Sequence, residues 1–203
     1  EGEEAGEGKE MPEGQKMMMP MTITVKRPNK IRFDMMNQEG AVYMTSCFDG
    51  TKGWSMQMGQ QQEMMEEMAH DYEVMAMGWI DGFLNYQEKG FTLELLPDET
   101  IDDVTYLVLQ STDQYGNVTK NYIHPETHYI ERAAGEMLNM QGQREPMYMT
   151  MTDYKMIEGC AMAQTVAQYK ENGEMIWESK LTDAKFNTGV EDDQFKPQAM
   201  TMK

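Results

Sequence analysis

The sequence has few cysteines, few cations and no long apolar run, and each shortage excludes a class of protein. No apolar stretch approaches the roughly 18 residues that a membrane-spanning helix needs. The two cysteines, Cys47 and Cys160, are too few for a disulfide framework, and we expect both to be buried free thiols. The 17 basic residues stand against 35 acidic residues, and the net charge of −18 opposes binding to nucleic acid and to anionic lipid surfaces.

Familiar catalytic motifs are also missing. The sequence contains no Gly-x-Ser-x-Gly elbow, no P-loop and no Gly-x-Gly-x-x-Gly. His124 and His128 have a spacing that could hold a metal on a helix, but Pro125 and the flanking strand-like residues favour a tight turn. We therefore predict a protein that is not an enzyme and that has no cofactor and no metal site.

The residues that are present alternate between apolar and polar from about residue 17 onward. Alternation with period two is typical of strands that have one dry face and one wet face. Turn pairs such as Asp49-Gly50 and Asn172-Gly173 separate these runs. We predict a mainly β (α+β) fold, a strongly curved antiparallel half-barrel sheet in one domain over residues 17–203. The acidic, glycine-rich residues 1–16 are expected to be a mobile segment.

One segment, from Gln61 to Trp79, has the period of a helix instead. Its apolar residues recur at spacings of three and four, and acidic residues occupy the other side. This pattern predicts an amphipathic helix, with its main part at residues 61–76, that covers the concave side of the sheet as a lid. The residues expected on the dry face of the lid are Met64, Met68, Tyr72 and Met75.

The sequence contains 25 methionines, far more than is usual. Methionine is unbranched and polarizable, so a surface rich in methionine can repack around flexible ligands such as acyl chains. Because thioethers also bind soft metals, a methionine-rich copper-binding protein is an alternative. The residues predicted to line an apolar cavity are Met21, Ile23, Val25, Ile31, Phe33, Met35, Trp54, Met56, Phe91, Leu93 and Leu95.

Several segments, taken in order, resemble one family. Residues 25–29 read Val-Lys-Arg-Pro-Asn, and residues 48–54 form a Phe-Asp-Gly hairpin that ends in tryptophan. Together with the helix and with later segments at 86–91, 122–127, 183–187 and 192–197, they resemble the periplasmic lipoprotein carriers and outer-membrane lipoprotein-sorting proteins, the LolA/LolB-like superfamily. The resemblance covers about residues 17–198.

This resemblance implies a half-barrel with a helical lid and a cavity that carries the acyl chains of lipoproteins or another amphiphilic lipid. It implies a periplasmic location, with a signal peptide already removed before Glu1. Its implied partners are an inner-membrane lipoprotein-releasing transporter and an outer-membrane acceptor. Arg27 matches the family's arginine at the cavity mouth, which hydrogen-bonds the closed lid, so Arg27 is the expected lid latch. A lipid-sensing envelope regulatory domain of the same fold is a further alternative.

Overall fold

The structure is a computed structural model, and it describes residues 19–139 and 141–197. The segment 1–16 that was predicted to be mobile lies outside the described residues. The described chain is mostly antiparallel β-structure that is not closed into a barrel, with a single α-helix, and this confirms the predicted fold class. Among the described residues, no helix combines the length and the apolarity needed to cross a bilayer.

The first half of the chain forms a five-stranded antiparallel sheet in which each strand pairs with the next along the sequence. Its strands alternate apolar and polar residues and are joined by short turns. They are β1 (Met21–Lys26), β2 (Lys30–Met36), β3 (Val42–Phe48), β4 (Gly53–Gln57) and β5 (Gln60–Glu63).

The second half forms a seven-stranded antiparallel sheet in the order β14-β13-β10-β9-β8-β7-β6. Two short strands, β11 (Lys155–Ile157) and β12 (Cys160–Met162), form a separate hairpin. The strands of the larger sheet are β6 (Thr92–Ile101), β7 (Val104–Thr112), β8 (Val118–Ile123), β9 (Ile130–Leu138), β10 (Arg144–Thr152), β13 (Thr165–Lys170) and β14 (Met175–Lys180).

The hydrogen bonding therefore divides the predicted sheet into two, because the helix α1 (Glu66–Asp81) and the turns after it separate β5 from β6. The predicted start of the helix at Gln61 is wrong. Residues Gln60–Glu63 pair with β4 instead, and Glu63 lies opposite Trp54. Gly82 ends the helix at a φ of 53°, and its N–H donates to the carbonyl of Gly78 over 2.9 Å.

The five-stranded sheet has an apolar core on each of its faces. On one face, Ile31 and Phe48 pack against Ala76 of α1, and all three are buried. On the other face, Cys47, Trp54 and Met56 pack against Phe195, which lies in a short 3₁₀ helix, Asp192–Phe195.

The core around Phe195 also contains two hydrogen bonds. The Trp54 Nε1–H and the Cys47 thiol both donate to the carbonyl oxygen of Phe195, over 2.8 Å and 3.2 Å. Burial raises the pKa of the Cys47 thiol to about 12. The expectation that both cysteines are buried is correct for Cys47 and wrong for Cys160. Cys160 is exposed in the β11–β12 hairpin, which is not hydrogen-bonded to either large sheet.

Candidate functional site

Six of the predicted cavity residues share one face of β1 and β2. The register pairs Met21 with Met35, Ile23 with Phe33 and Val25 with Ile31, and residues paired in this way point to the same side. This side carries α1, and we call it the helix-covered face. Its predicted residues are Met21, Ile23, Val25, Ile31, Phe33 and Met35.

The apolar stripe of α1 packs on this face. The Tyr72 ring meets Phe33 edge-on with centroids 5.3 Å apart, and Trp79 approaches the same ring at 6.4 Å. Tyr72 and Met75 pack against the buried cluster of the helix-covered face, and burial raises the pKa of the Tyr72 hydroxyl. Tyr72 and Met75 therefore lie on the side of α1 that faces the sheet.

The other two predicted lid residues lie at the edge of this contact. Met64 precedes the helix, and its backbone N–H donates to the carbonyl of Gly53 over 2.9 Å. A Cβ atom at Gly53 would lie 2.8 Å from the Met64 sulfur, so a side chain there would displace Met64. Met68 is half-buried in the first turns of α1 and lies outside the buried cluster.

Trp54 and Met56 were predicted to line the same cavity, but they do not lie on the helix-covered face. Trp54 pairs with Cys47 and Met56 pairs with Thr45, whereas Phe48 of the helix-covered face pairs with Gly53. Both side chains therefore point away from α1 and are covered by the C-terminal segment around Phe195. The prediction was wrong because alternation identifies a dry face without identifying which side of the sheet it is on, and both sides of this sheet are dry.

A second surface runs across the seven-stranded sheet, and it is mostly apolar except where Thr119 and Asn121 of β8 cross it. The register aligns Leu95 with Leu109 at one edge, and it aligns Ala133, Met149, Gln168 and Trp177 toward the other. We call this side the Leu–Met face. Its large apolar members include Leu93, Leu95, Leu107, Leu109, Met147, Met149, Met151 and Trp177.

Much of the Leu–Met face is open to solvent. Leu95 is 70% exposed, Trp177 is 40% exposed and Leu107 is 37% exposed. Two of the predicted cavity residues, Leu93 and Leu95, lie on this face, on a different sheet from Met21 and its neighbours. The predicted set is thus split between two sheets and three faces. Phe91 lies just before β6 in a turn closed by its N–H donating to the carbonyl of Tyr86 over 2.9 Å.

The opposite side of the seven-stranded sheet is polar and aromatic. The Arg132 guanidinium lies 3.6 Å from the centre of the Tyr148 ring. The Lys120 ammonium and the Tyr122 hydroxyl both donate to the Glu99 carboxylate, over 2.7 Å and 2.9 Å. The charged side chains of this side thus pair with one another or stack on aromatic rings, whereas the Leu–Met face carries the large leucine and methionine side chains.

Arg27 joins the turn after β1 to the end of the helix. Its Nε donates to Oδ2 of Asp81 over 3.1 Å, and its Nη2 donates to the other carboxylate oxygen. The side chain of Asp81 is 18% exposed and that of Arg27 is 69% exposed. The hydrogen bond from Arg27 holds the pKa of Asp81 below its usual value.

The polar side of α1 makes contacts that no pattern in the sequence predicts. The Glu73 carboxylate accepts hydrogen bonds from Asn29 over 2.5 Å and from the Tyr115 hydroxyl, and the His70 ring stacks on Tyr115 at 3.7 Å. Burial and the Glu73 carboxylate raise the pKa of Tyr115 to about 12. Asn29 belongs to the first sheet and Tyr115 to the β7–β8 turn, so α1 bridges the two sheets.

A further ion pair continues this bridge toward the β9–β10 turn. Arg144 donates from Nη2 to Oδ1 of Asp71 over 2.7 Å. Burial nevertheless raises the pKa of Asp71, and the effect of Arg144 only partly offsets it. No signal in the sequence identifies such pairs, because their members are separated by dozens of residues and polar residues on a helix are usually only solvated.

The candidate site therefore consists of two apolar surfaces and a helix. The helix seals one surface and is held at its end and along its polar side by hydrogen bonds to turns. Within the part of the chain that the structure describes, no three His, Cys, Asp or Glu side chains are grouped to hold a metal. The segment His124–His128 is a turn between β8 and β9, as predicted, and its ends are joined by a 2.9 Å backbone hydrogen bond.

Comparison with known proteins identifies the fold. No family model matches the chain, and no curated protein matches it. Several solved structures are similar to this chain. A LolA superfamily protein from Nitrosomonas europaea aligns over 92% of this chain and 84% of its own length, with a TM-score of 0.56 and 14% identity.

Two further structures agree. A putative outer membrane lipoprotein-sorting protein domain from Vibrio parahaemolyticus gives a TM-score of 0.57 at 14% identity, over 87% of this chain and 80% of that one. A DUF1329 family protein from Desulfovibrio piger gives 0.52 at 9% identity, over 87% and 79%. The resemblance inferred from the sequence is thus confirmed at the level of the fold.

Proposed function

We propose that this protein binds and carries the acyl chains of lipoproteins and catalyses no reaction. The observation that carries the proposal is the Leu–Met face, which has large apolar residues on both sides of the polar residues Thr119 and Asn121 of β8 and leaves leucines and a tryptophan open to solvent. A soluble domain rarely keeps a large contiguous apolar surface exposed unless that surface binds something.

The chemistry of the face suits acyl chains in particular. Burying one methylene stabilises a complex by roughly 0.8 kcal/mol, so a long chain needs a long apolar strip and few polar contacts. Met147, Met149 and Met151 provide flexible side chains that can adjust to chains of different length. The net charge of −18 disfavours recognition through an anionic headgroup, so the acyl chains provide the main contacts.

In this proposal α1 is the lid, with Tyr72 and Met75 on its inner side and with Met64 and Met68 at the edge of its contact with the sheet, and Arg27 is its latch. Displacing α1 would expose the helix-covered face and enlarge the apolar surface available to a ligand. The Arg27–Asp81 pair supports this role because it joins the helix end to a turn and is largely solvated on the arginine side. A solvated ion pair is weak and breaks readily, which suits a lid that must open repeatedly.

The proposed location is the periplasm. The structural similarity to an outer membrane lipoprotein-sorting protein domain supports this placement. The proposed partners are an inner-membrane transporter that releases lipoproteins and an outer-membrane acceptor. The acidic surface would favour basic docking surfaces on these partners.

The direct test is titration with a fluorescent fatty acid, comparing Leu95→Glu with Leu84→Glu. Both leucines are highly exposed, at 70% and 64%, but Leu95 lies on the Leu–Met face and Leu84 lies in the turns after α1. A buried carboxylate is costly, so Leu95→Glu should weaken binding at least tenfold while Leu84→Glu leaves it unchanged. Equal affinities for the two variants would contradict the proposal.

A second experiment identifies the cargo. Native mass spectrometry of the protein purified from its own host should show a bound species with the mass of a lipoprotein or another amphiphile. Transfer of that species to acceptor vesicles would support a carrier. A bound lipid that does not transfer, together with a membrane-bound signalling partner, would instead indicate the lipid-sensing alternative.

A further inference from the structure

Four methionines lie together at one end of the helix-covered face. The register pairs Met35 of β2 with Met21 of β1 and with Met44 of β3, so these three side chains form a row on one side of the sheet. Met19 comes two residues before Met21, in the segment that leads into β1. We call Met19, Met21, Met35 and Met44 the thioether cluster.

The thioether cluster is accessible from solvent. Met19 is 54% exposed and Met21 is 37% exposed, whereas Met35 and Met44 are half-buried. None of the four belongs to the buried apolar cluster on which α1 packs. A small ion can therefore reach their sulfur atoms while α1 stays in place on the sheet.

The hydroxyl of Tyr43 shows where the sulfur atoms point. It lies 3.2 Å from the Sδ of Met19 and 3.8 Å from the Sδ of Met35, within reach of a hydrogen bond to each. Tyr43 is left out of the ladder where the register between β2 and β3 shifts just after Met35, and a bulge of this kind redirects a side chain. Sulfur accepts a hydrogen bond through its lone pairs, which are also the electrons that it gives to a metal. Two thioether sulfurs of the cluster thus approach one polar point.

The donor atoms of the cluster select a soft cation. Thioether sulfur binds Cu(I), whereas Mg²⁺, Ca²⁺ and Mn²⁺ prefer carboxylate, carbonyl and water oxygens. Over residues 19–139 and 141–197, no three His, Cys, Asp or Glu side chains are grouped to offer a harder site. The net charge of −18 raises the local concentration of any cation near the protein.

We propose that the thioether cluster binds one Cu(I) ion. Met19 and Met35 are its first ligands, because their sulfurs already approach the Tyr43 hydroxyl, and Met21 and Met44, the two neighbours of Met35, complete the coordination. Side chains opposite each other on paired strands are close, and methionine has three rotatable bonds, so the sulfurs can converge without a change in the backbone. In the metal-free protein the hydroxyl of Tyr43 occupies the space between the sulfurs.

This inference assigns the copper-binding alternative, which the methionine content of the sequence leaves open, to four particular residues. It is independent of the proposed function, because the thioether cluster belongs to the five-stranded sheet and the Leu–Met face belongs to the seven-stranded sheet. A protein that binds acyl chains on one sheet can bind an ion on the other.

The first test is an anaerobic titration of the full chain with Cu(I) against a chromogenic Cu(I) chelator. All samples carry Cys160→Ser, because the thiol of Cys160 is exposed and would itself bind Cu(I). Met35→Leu is compared with Met156→Leu, since Met156 is 63% exposed in the separate β11–β12 hairpin and leucine conserves the volume of methionine.

We expect the Cys160→Ser parent to bind one Cu(I) ion. Met35→Leu should weaken this binding by about tenfold or more, and Met156→Leu should leave it unchanged. A parent that binds no Cu(I) in competition with the chelator, or equal affinities for the two methionine variants, would overturn the proposal.

The second test locates the ion and does not depend on how well a variant folds. The Cys160→Ser protein is labelled with carbon-13 at the methionine methyl groups and titrated with Ag(I), a soft ion of the same charge that undergoes no redox reaction under these conditions. The methyl signals of Met19, Met21, Met35 and Met44 should shift together with the first equivalent, whereas that of Met156 should not. Shifts confined to other methionines, such as those of the Leu–Met face, would refute the assignment.

Discussion

Arg27 donates a 3.1 Å hydrogen bond from its Nε to Oδ2 of Asp81, the last residue of α1. The contact joins the turn between β1 and β2 to the end of the helix. The middle of α1 packs on the buried apolar residues of the sheet. An interaction at the free end of a helix affects whether the helix lies against the sheet more than it affects the sheet itself. Its effects should therefore appear in helix motion before they appear in overall stability.

The first prediction concerns Arg27→Leu. Loss of the contact should speed amide hydrogen exchange across α1 and leave exchange in the seven-stranded sheet unchanged. Lipid should still load, but release to an acceptor should slow because reclosure of the helix no longer helps to expel the ligand. Lys185→Leu is the control, since Lys185 is an equally exposed cation that pairs with Asp183 at 3.7 Å in the segment after β14. Equal rates of amide hydrogen exchange across α1 in the two variants would show that Arg27 is not a latch.

The second prediction concerns pH. The pKa of Asp81 is lowered from its usual 3.8 by the hydrogen bond from Arg27. A lowered carboxyl pKa contributes stability above its unfolded value and loses it as the pH falls through the folded value. Asp81 should therefore stay ionised between about pH 5 and 8. Over that range the Arg27–Asp81 contact should persist, and its contribution to the rate of acyl-chain transfer by the wild type should not change. The wild-type transfer rate should approach the Arg27→Leu rate only below about pH 4. A change in the wild-type rate toward the Arg27→Leu rate near neutral pH would contradict this prediction.

The third prediction concerns the two thiols. Cys160 is exposed, whereas Cys47 is buried and its pKa is raised to about 12. Because the thiolate is the reactive form, a chromogenic disulfide reagent should modify Cys160 quickly in the folded protein and Cys47 only on unfolding. Peptide mapping of the modified protein checks the assignment, and rapid modification of Cys47 in the native state would show that the C-terminal segment does not seal that core.

The fourth prediction separates the two cores of the first sheet. Phe195 is fully buried, and Phe195→Ala should lower the free energy of unfolding by about 3–5 kcal/mol. Its effect should be confined to the face that carries Trp54, so fatty-acid affinity measured well below the melting temperature should stay at the wild-type value. A loss of affinity that parallels the loss of stability would place the ligand on the Trp54 side.

The sequence predicted the fold class because its signals are local and repeated. Alternation over many segments indicates antiparallel strands, and a stripe at helical spacing indicates the single helix; both are present. The helix start was misplaced because Gln60–Glu63 has the polarity of the wet side of a helix but pairs as β5. The polarity of a four-residue segment does not distinguish a strand from the first turn of a helix. Here the hydrogen-bonded pairing with β4 makes the segment a strand.

The site was predicted only in part, and the reasons are geometric. Met21, Ile23, Val25, Ile31, Phe33 and Met35 share one face, whereas Trp54 and Met56 lie on the opposite face, which is also apolar because Phe195 packs there. Contacts such as Glu73 with Tyr115 join residues far apart in sequence and follow from tertiary structure alone. The resemblance to a family, and no local pattern, drew attention to Arg27.

The central claim is that acyl chains bind on the Leu–Met face of the seven-stranded sheet. Covalent labelling with a photoactivatable fatty acid, followed by peptide mapping, tests it most directly. The account predicts labelled residues on β6, β7 and β10 around Leu95, Leu107 and Met149, and loss of this labelling when natural fatty acid competes. Labelling that is confined to the polar side around Tyr148 and Arg132, or that ordinary fatty acid does not displace, would contradict it.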